Sequence, residues 1–147
     1  MRKGVRLGLD LGTARIGVAV SDPDGLIASP RSALKAAPGS TDDLCALVRD
    51  IAPIEVVVGL PISLSGAEGS AARGVREWAT RLAGQIDVHV RLVDERLSTV
   101  QAQRAYRDQG RTTRETRESI DSSSAAVLLQ FVLDSERSRG EAPGEVL

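Results

Sequence analysis

Asp10 is the residue whose position most needs a chemical explanation. It lies in LGLDLGTARIGVAVS (7–21), a segment that otherwise has the pattern of two apolar strands joined by a glycine turn. A carboxylate in a strand interior loses hydration, so its charged form needs a nearby cation or hydrogen-bond donors. Neither a helix cap nor an exposed face accounts for this acid. We therefore expect Asp10 to serve chemistry rather than folding.

Two further acids, Glu95 and Asp121, stand where a ligand could bind. Glu95 follows the carboxyl end of the predicted strand VHVRLV, and open α/β sheets bind their ligands at that edge. Asp121 shares an apolar helical stripe with Leu128, so it is predicted to point toward the sheet. Both acids also have a purely structural interpretation. Glu95 or Asp94 could pair with Arg96, and Asp121 could be an early-turn acid favoured by the helix dipole.

Three carboxylates gathered at one site favour a hard divalent cation. Oxygen ligands suit Mg²⁺ or Mn²⁺, and no histidine and cysteine pattern competes, because His89 and Cys45 are each the only residue of their type. Cys45 lies among apolar residues and is predicted to be a buried small hydrophobe. Two ions roughly 3.5–4 Å apart can activate a water and stabilise the leaving oxygen in phosphodiester cleavage. The acids therefore predict metal-dependent hydrolysis of nucleic acid.

The hydrophobic periods predict the elements that position these acids. Period-two alternation indicates a hairpin over 5–21, turn residues precede a third strand over about 26–34, and IEVVVGLP and VHVRLV indicate two buried parallel strands. Together they predict an α/β fold with a mixed five-stranded sheet, three antiparallel strands and then two parallel ones, flanked by helices. Helices are expected around Leu44–Ile51, around Ala71–Leu82 before Gly84, from Ser98 to Gly110, and from Thr112 to about Asp134.

Length and composition bound the remaining possibilities. The 147 residues are 41% hydrophobic and contain no internal repeat, which predicts one domain over residues 1–134. The polar segment 135–147 is expected not to fold. A net charge of -1 gives no global field to attract nucleic acid, so local patches matter more. We find no segment with the pattern of a membrane span or signal peptide and expect a cytoplasmic protein.

Several residues near the predicted strand ends could bind phosphate. Gly59, Pro61 and Gly66 place backbone amides and a helix start beside a strand end, which suits either a phosphate cradle or an ordinary loop. Arg15 could stiffen the hairpin or contact a phosphate, and Arg96 is ambiguous in the same way. Few aromatic residues are present, and Trp78 and Phe131 are predicted to lie in the core, so they offer no base-stacking platform.

Four ordered motifs carry a family resemblance. The segments LGLDLGTARIGVAVSD, VVVGLPISLSGAEG, VDERLST and IDSSSAAVLLQ span nearly the whole chain and resemble the YqgF/RuvX family of RNase H-like proteins. That family is described as Holliday junction resolvases and as nucleases that trim the precursor of small-subunit ribosomal RNA. The resemblance implies an RNase H-like fold, divalent-metal dependence, and an acidic triad of Asp10, Glu95 and Asp121. Ribosomal RNA maturation is the preferred function, and cleavage of branched DNA is the alternative.

The resemblance also implies partners, and two other functions stay open. The expected partner is structured RNA, within ribosomal precursor particles, or branched DNA, and the protein is expected to be a monomer or a homodimer. The resemblance implies a basic run before the last acid that binds the nucleic acid, here Arg111, Arg114 and Arg117 in RTTRETRESID. Glu115 and Glu118 interrupt this run, which bears on the affinity for the substrate. A non-catalytic RNA-binding factor is one rival. The other is an ATPase, because DLGTARIGVAV also resembles the first phosphate-binding hairpin of actin and sugar kinases, although the second hairpin of those enzymes has no counterpart here.

Overall fold

The strands and helices follow the order that the hydrophobic periods predict. A computed structural model describes residues 1–36, 40–98 and 114–147, and of Ser40 and residues 114–121 it describes the backbone. Of the helix predicted from Ser98 to Gly110, only Ser98 is described; residues 99–110 and Thr112 lie outside the described residues. The elements are β1 (Arg6–Leu11), β2 (Arg15–Ser21), β3 (Ala28–Lys35), α1 (Ser40–Ile51), β4 (Glu55–Leu60), α2 (Ser70–Ala83), β5 (His89–Asp94), a 3₁₀ turn (Glu95–Leu97), α3 (Arg114–Arg139) and β6 (Glu145–Val146).

The strands form one mixed sheet in the order β3-β2-β1-β4-β5-β6. The first three strands pair antiparallel, and β1, β4 and β5 are parallel neighbours. This arrangement brings the carboxyl ends of β1, β4 and β5 to the same edge of the sheet. The predicted mixed α/β class is therefore confirmed, with a sixth strand added.

Alternation along β1 separates two cores on opposite faces of the sheet. Leu7 and Leu9 belong to the core that α1 and α2 cover, whereas Gly8 lies against α3, where a Cβ would come within 3.0 Å of the Leu129 Cβ. The buried stripe of α2 consists of Ala72, Val75, Ala79 and Leu82, whereas Ala71, at the predicted start of this helix, is exposed. Cys45, Trp78 and Phe131 pack in the cores as predicted.

A buried charged network holds the far end of α3 against the sheet. The Arg6 side chain is fully buried and its Nη2 donates to Glu136 Oε2 at 3.0 Å. Arg2 Nε donates to the other oxygen of Glu136 at 2.7 Å, and Arg2 Nη2 donates to Glu55 Oε1 at 3.2 Å. Arg91 also pairs with Glu55, at 2.9 Å. Because each buried charge has a partner of opposite sign, the network can lie inside the fold.

The C-terminal segment folds, so the expectation that residues 135–147 would not fold is wrong. Helix α3 continues past Asp134 to Arg139, and β6 pairs antiparallel with β5. Leu147 N donates to Val90 O at 2.9 Å, and Arg76 pairs with Glu145 at 2.6 Å. The polar composition conceals this strand because its stability comes from backbone bonds to an edge strand, not from apolar burial. The five-stranded prediction is corrected to six for the same reason.

In the described ranges, no helix combines the length and the apolar character needed to cross a membrane.

Candidate active site

Asp10 is buried between glycine neighbours on the face of the sheet that α3 covers. Its residue is 3% exposed, and its cross-strand partner in β2 is Gly17. Arg6 lies two strand periods earlier and therefore on the same face of β1. The register therefore places a glycine directly opposite Asp10. Because glycine carries no side chain, space is left beside the carboxylate.

Glu95 is held in the 3₁₀ turn that follows β5. The turn begins at Asp94, whose Oδ1 accepts the Arg96 backbone N–H at 2.9 Å, and it closes where the Ser98 N–H and hydroxyl donate to the Glu95 carbonyl at 3.2 and 3.0 Å. Glu95 is 3% exposed although its two chain neighbours lie nearer the surface. Burial raises the pKa of Glu95 to about 7, and the nearby Asp94 carboxylate adds to the shift.

Gly59 at the end of β4 brings the two acids to one place. A Cβ on Gly59 would lie 3.6 Å from Glu95 Oε2, 3.9 Å from Asp10 Oδ1 and 3.0 Å from Leu128 Cδ2. Any longer side chain at position 59 would therefore enter the space that the two carboxylates share. This glycine was predicted as part of a phosphate cradle, but its observed surroundings are the two acids.

The backbone of Asp121 lies in the N-terminal part of α3. The following residue, Ser122, is 3% exposed, and its hydroxyl accepts the Val18 N–H at 3.5 Å. Val18 adjoins Gly17, the strand partner of Asp10, so this end of α3 lies beside the first acid. The Asp121 side chain is outside the described residues, and a cluster of three acids stays a prediction. Among the side chains that are described, no three histidine, cysteine or carboxylate groups form a metal site.

Arg96 contacts an acid and a carbonyl instead of pointing freely outward. Its Nη2 lies 2.6 Å from Asp94 Oδ2, its Nε lies 3.1 Å from both Asp94 oxygens, and its Nη1 donates to the Ser63 carbonyl at 3.2 Å. The hydrogen bonds from Arg96 lower the pKa of Asp94. The predicted pairing with Asp94 is observed, and the phosphate contact of Arg96 stays a prediction.

The other predicted phosphate contacts are spread along the same edge of the sheet. Arg15 begins β2 and is half-buried, and its carbonyl accepts the Gly12 N–H at 2.8 Å in the hairpin turn. Pro61 is half-buried directly after β4. Gly66 has a φ of 87°, which favours glycine, and its N–H donates to Ser63 O at 2.9 Å. Arg111 lies outside the described residues, and so do the side chains of Arg114 and Arg117.

Sequence reasoning missed the residues that shape the space around the acids. Gly17 and Leu128 were not assigned to the site, and Ser122 appeared only as part of the motif IDSSSAAVLLQ. The signal for Gly17 was present, because counting back from the hairpin turn places it opposite Asp10. The helical stripe predicted that Leu128 faces the sheet, but its position beside Gly59 depends on the long-range packing of α3.

The donor set fits a hard divalent cation. Asp10 and Glu95 supply carboxylate oxygens, and the bare Cα of Gly59 leaves room between them. A buried carboxyl whose pKa is raised gains from a cation, which stabilises its charged form. The arrangement can thus hold a metal against a substrate phosphate that approaches the carboxyl edge of the sheet.

Comparison with known proteins identifies relatives along the entire chain. A protein from a Nocardioides species and one from Thermobifida fusca are each 50% identical, the alignments cover 100% of this chain and 98% of either relative, and both are named as proposed pre-16S rRNA nucleases. A solved structure of T. thermophilus RuvC in complex with a Holliday junction substrate matches with a TM-score of 0.60 at 16% identity, covering 96% of this chain and 99% of that chain. A second structure of Thermus thermophilus RuvC matches with a TM-score of 0.56 at 15% identity.

The structural likeness shows a shared fold and confirms the expected RNase H-like class. The family model described as "RuvX: Holliday junction resolvase" matches residues 4–135, which include β1 through most of α3 and all three predicted acids. This chain belongs to the RuvX family.

Proposed function

We propose that this chain is a divalent-metal-dependent nuclease that trims the precursor of 16S ribosomal RNA. The observation that carries the proposal is the approach of Asp10 and Glu95 to the bare backbone of Gly59, with both acids 3% exposed. Two buried carboxylates that face the same space repel each other when both are charged, and a bound cation relieves that repulsion. The names of the relatives that are 50% identical support the choice of RNA.

Each residue of the site has a role that follows from its position. Asp10 and Glu95, with Asp121 as the proposed third ligand, would hold Mg²⁺ or Mn²⁺. When bound, such ions activate a water and stabilise the leaving oxygen of a phosphodiester. Glu95 must lose its proton to act as a ligand, and that proton passes to solvent. Leu128 closes one side of the space and lowers the local dielectric, which strengthens the attraction between the carboxylates and a cation.

Branched DNA is the second candidate substrate. The family model carries the description of a Holliday junction resolvase, and the matched RuvC structure contains a junction. A homodimer would suit the two-fold symmetry of a junction, whereas a monomer suffices for trimming an RNA end. An rRNA precursor would place the protein in the cytoplasm, where it would act on ribosomal precursor particles.

The test compares two substrates in one experiment. Purified protein is incubated with a 5′-extended 16S RNA fragment and with a four-way DNA junction, in Mg²⁺, in Mn²⁺ and in excess chelator. We expect the RNA to be shortened only with metal, and Asp10→Asn and Glu95→Gln to lose at least ~10²-fold in rate. Cleavage of the junction alone would transfer the function to branched DNA.

Three other outcomes would contradict the nuclease proposal. Undiminished cleavage in chelator would exclude metal dependence. RNA binding without cleavage in either metal would identify a non-catalytic binding factor. Metal-dependent ATP hydrolysis without cleavage of either nucleic acid would favour the ATPase alternative.

A further inference from the structure

Arg96 joins the two loops that border the candidate site. Through Nη1 it contacts the Ser63 carbonyl in the loop after β4, and through Nε and Nη2 it contacts the Asp94 carboxylate at the end of β5. Its own backbone N–H donates to the same carboxylate at 2.9 Å. These contacts connect Ser63, Asp94 and Arg96 into one unit, which we call the 63–94–96 clasp.

Two residues of the clasp, Asp94 and Arg96, flank Glu95 in the sequence, and their pairing fixes the direction of the Glu95 side chain. Asp94 and Arg96 have side chains that are 19% and 31% exposed, while Glu95 between them is 3% exposed. Because the flanking side chains are bonded to each other outside the turn, the Glu95 side chain is directed inward, toward Gly59. The guanidinium fork makes this possible, since it can meet a carboxylate and a carbonyl at the same time.

The loop after β4 is shaped to accept the arginine. A Cβ on Gly66 would lie 3.7 Å from Arg96 Nη1, which is an ordinary contact distance. The φ of 87° at Gly66 instead explains why glycine occupies that turn. The turn directs the Ser63 carbonyl toward Arg96, so the two loops are bonded to one another at the carboxyl edge.

We propose that Arg96 is a positioning residue, which acts through the 63–94–96 clasp to hold the Glu95 carboxylate beside Asp10. This inference rests on the proposed nuclease function and competes with the alternative that Arg96 contacts a substrate phosphate. The guanidinium has its strongest hydrogen bonds within the protein, and a phosphate would have to compete with Asp94 for them. Substitutions that break the clasp should therefore disturb the position of Glu95 and weaken cation binding more than they weaken binding of the nucleic acid.

The two roles of Arg96 predict opposite changes in Mn²⁺ affinity when Arg96 is replaced with alanine. Removing a positive charge beside a cation site strengthens cation binding by Coulomb's law, so the phosphate-contact role predicts equal or tighter Mn²⁺ binding in Arg96→Ala. The clasp predicts weaker Mn²⁺ binding, by about fivefold or more, because Glu95 loses its fixed direction. Mn²⁺ titration of the otherwise intact chain measures this without any cleavage.

Kinetics give a second, independent readout. In Arg96→Ala and Asp94→Ala we expect kcat to fall by about tenfold or more with KM for the RNA nearly unchanged. The double variant should lose no more than either single variant, because both substitutions break the same unit. Arg96→Lys keeps the charge but not the fork, so it should behave like Arg96→Ala.

Arg137→Ala is the matched control, because it breaks an exposed arginine–aspartate pair with Asp134 at the far end of α3. We expect it to leave Mn²⁺ affinity and kcat unchanged. Melting temperatures check that every variant is folded, and Arg96→Gln, which keeps part of the apolar stem, replaces any variant that is not.

Unchanged or tighter Mn²⁺ binding, with a raised KM and a flatter salt dependence, would overturn the clasp. A wild-type protein that binds Mn²⁺ but cleaves nothing would refute the nuclease proposal, and the affinities would still decide the clasp.

Discussion

Gly59 of β4 lies so close to Leu128 of α3 that a Cβ on the glycine would come within 3.0 Å of the leucine Cδ2. The same Cβ would lie 3.6 Å from Glu95 Oε2 and 3.9 Å from Asp10 Oδ1. Position 59 thus joins helix packing to the chemistry of the site, because the bare backbone that admits Leu128 also leaves the space between the acids.

Gly59→Ala is expected to abolish activity while costing little stability. The methyl group would occupy the space between Asp10 and Glu95, so we predict a loss of at least ~10²-fold in cleavage and weaker Mn²⁺ binding. The flexible end of Leu128 can move by a few tenths of an ångström, so the stability loss should stay near ~1–2 kcal/mol. Cleavage kinetics and urea unfolding measure the two effects.

Gly74→Ala is the control for Gly59→Ala. Gly74 is exposed within α2, and a Cβ there would have nothing within 4 Å. Alanine should raise stability by about 0.5–1 kcal/mol through helix propensity and leave cleavage unchanged. Full activity in Gly59→Ala would contradict the assignment of this space to the metal.

Asp10→Asn should leave the metal-free protein as stable as the wild type, or more stable by ~1 kcal/mol, while abolishing activity. The substitution keeps the shape of the side chain and removes one of the buried charges. Added Mg²⁺ should raise the melting temperature of the wild type more than that of the variant, because only ligands of the native state stabilise it. A clearly destabilised variant with an unchanged metal response would assign Asp10 to structural hydrogen bonding.

The raised pKa of Glu95 predicts how metal-free stability depends on pH. The folded protein keeps a proton on Glu95 up to about pH 7, whereas the unfolded chain releases it near its ordinary value of 4.5. Because the folded state binds more protons in this window, stability should fall as pH rises from about 4.5 to 7, by at most about 3 kcal/mol. Urea unfolding in chelator across this range should show the slope in the wild type and its loss in Glu95→Gln. A slope that persists in the variant would assign the pH dependence to another group.

Glu136 has the opposite pH dependence. Hydrogen bonds from Arg2, and the charges of Arg2 and Arg6, lower the pKa of Glu136 from 4.5 to about 2. The stabilisation is therefore complete above about pH 4.5 and is lost as the pH falls toward 2. Glu136→Gln should cost about 2–4 kcal/mol at pH 7, because Arg6 stays buried without its counter-charge. The difference from wild type should shrink below pH 4.5.

Glu141→Gln is the control for Glu136→Gln, because Glu141 is an exposed acid beyond the end of α3. Its effect on unfolding should stay within about 0.5 kcal/mol at every pH. A loss in Glu136→Gln that is equally small at pH 7 would mean that the charged network does not hold α3.

The arginines before Asp121 provide a salt-dependence test. If Arg104, Arg107, Arg111, Arg114 and Arg117 hold phosphates, replacing two of them with alanine should weaken RNA binding and reduce the slope of log K against log salt by about one unit per lost contact. Binding measured at several salt concentrations gives the slope, and Arg31→Ala on β3 serves as a charge-matched control. An unchanged slope would assign these arginines to a solvated face.

The sequence by itself determined the order of the first five strands and singled out Asp10 and Glu95, the two acids that lie near Gly59. The alternation around Asp10 and the apolar runs of β4 and β5 are local patterns, because the period of two or 3.6 residues is set by backbone geometry. From those runs, Glu95 was assigned to the carboxyl edge of the sheet and Asp10 to the interior of a strand, and the acids were expected to gather at one site. The order of the four motifs then indicated the family that the comparisons establish.

Tertiary structure alone decided what surrounds those acids and what holds α3. Arg6 and Glu136 are 130 positions apart, and no local period links them. The hydrogen bond from Arg96 to the Ser63 carbonyl, and the contact between Gly59 and Leu128, likewise depend on how separate elements pack. The strand β6 forms because β5 offers an unpaired edge to a polar segment whose composition carries no strand signal. Such contacts depend on distance in space, which a linear sequence does not state.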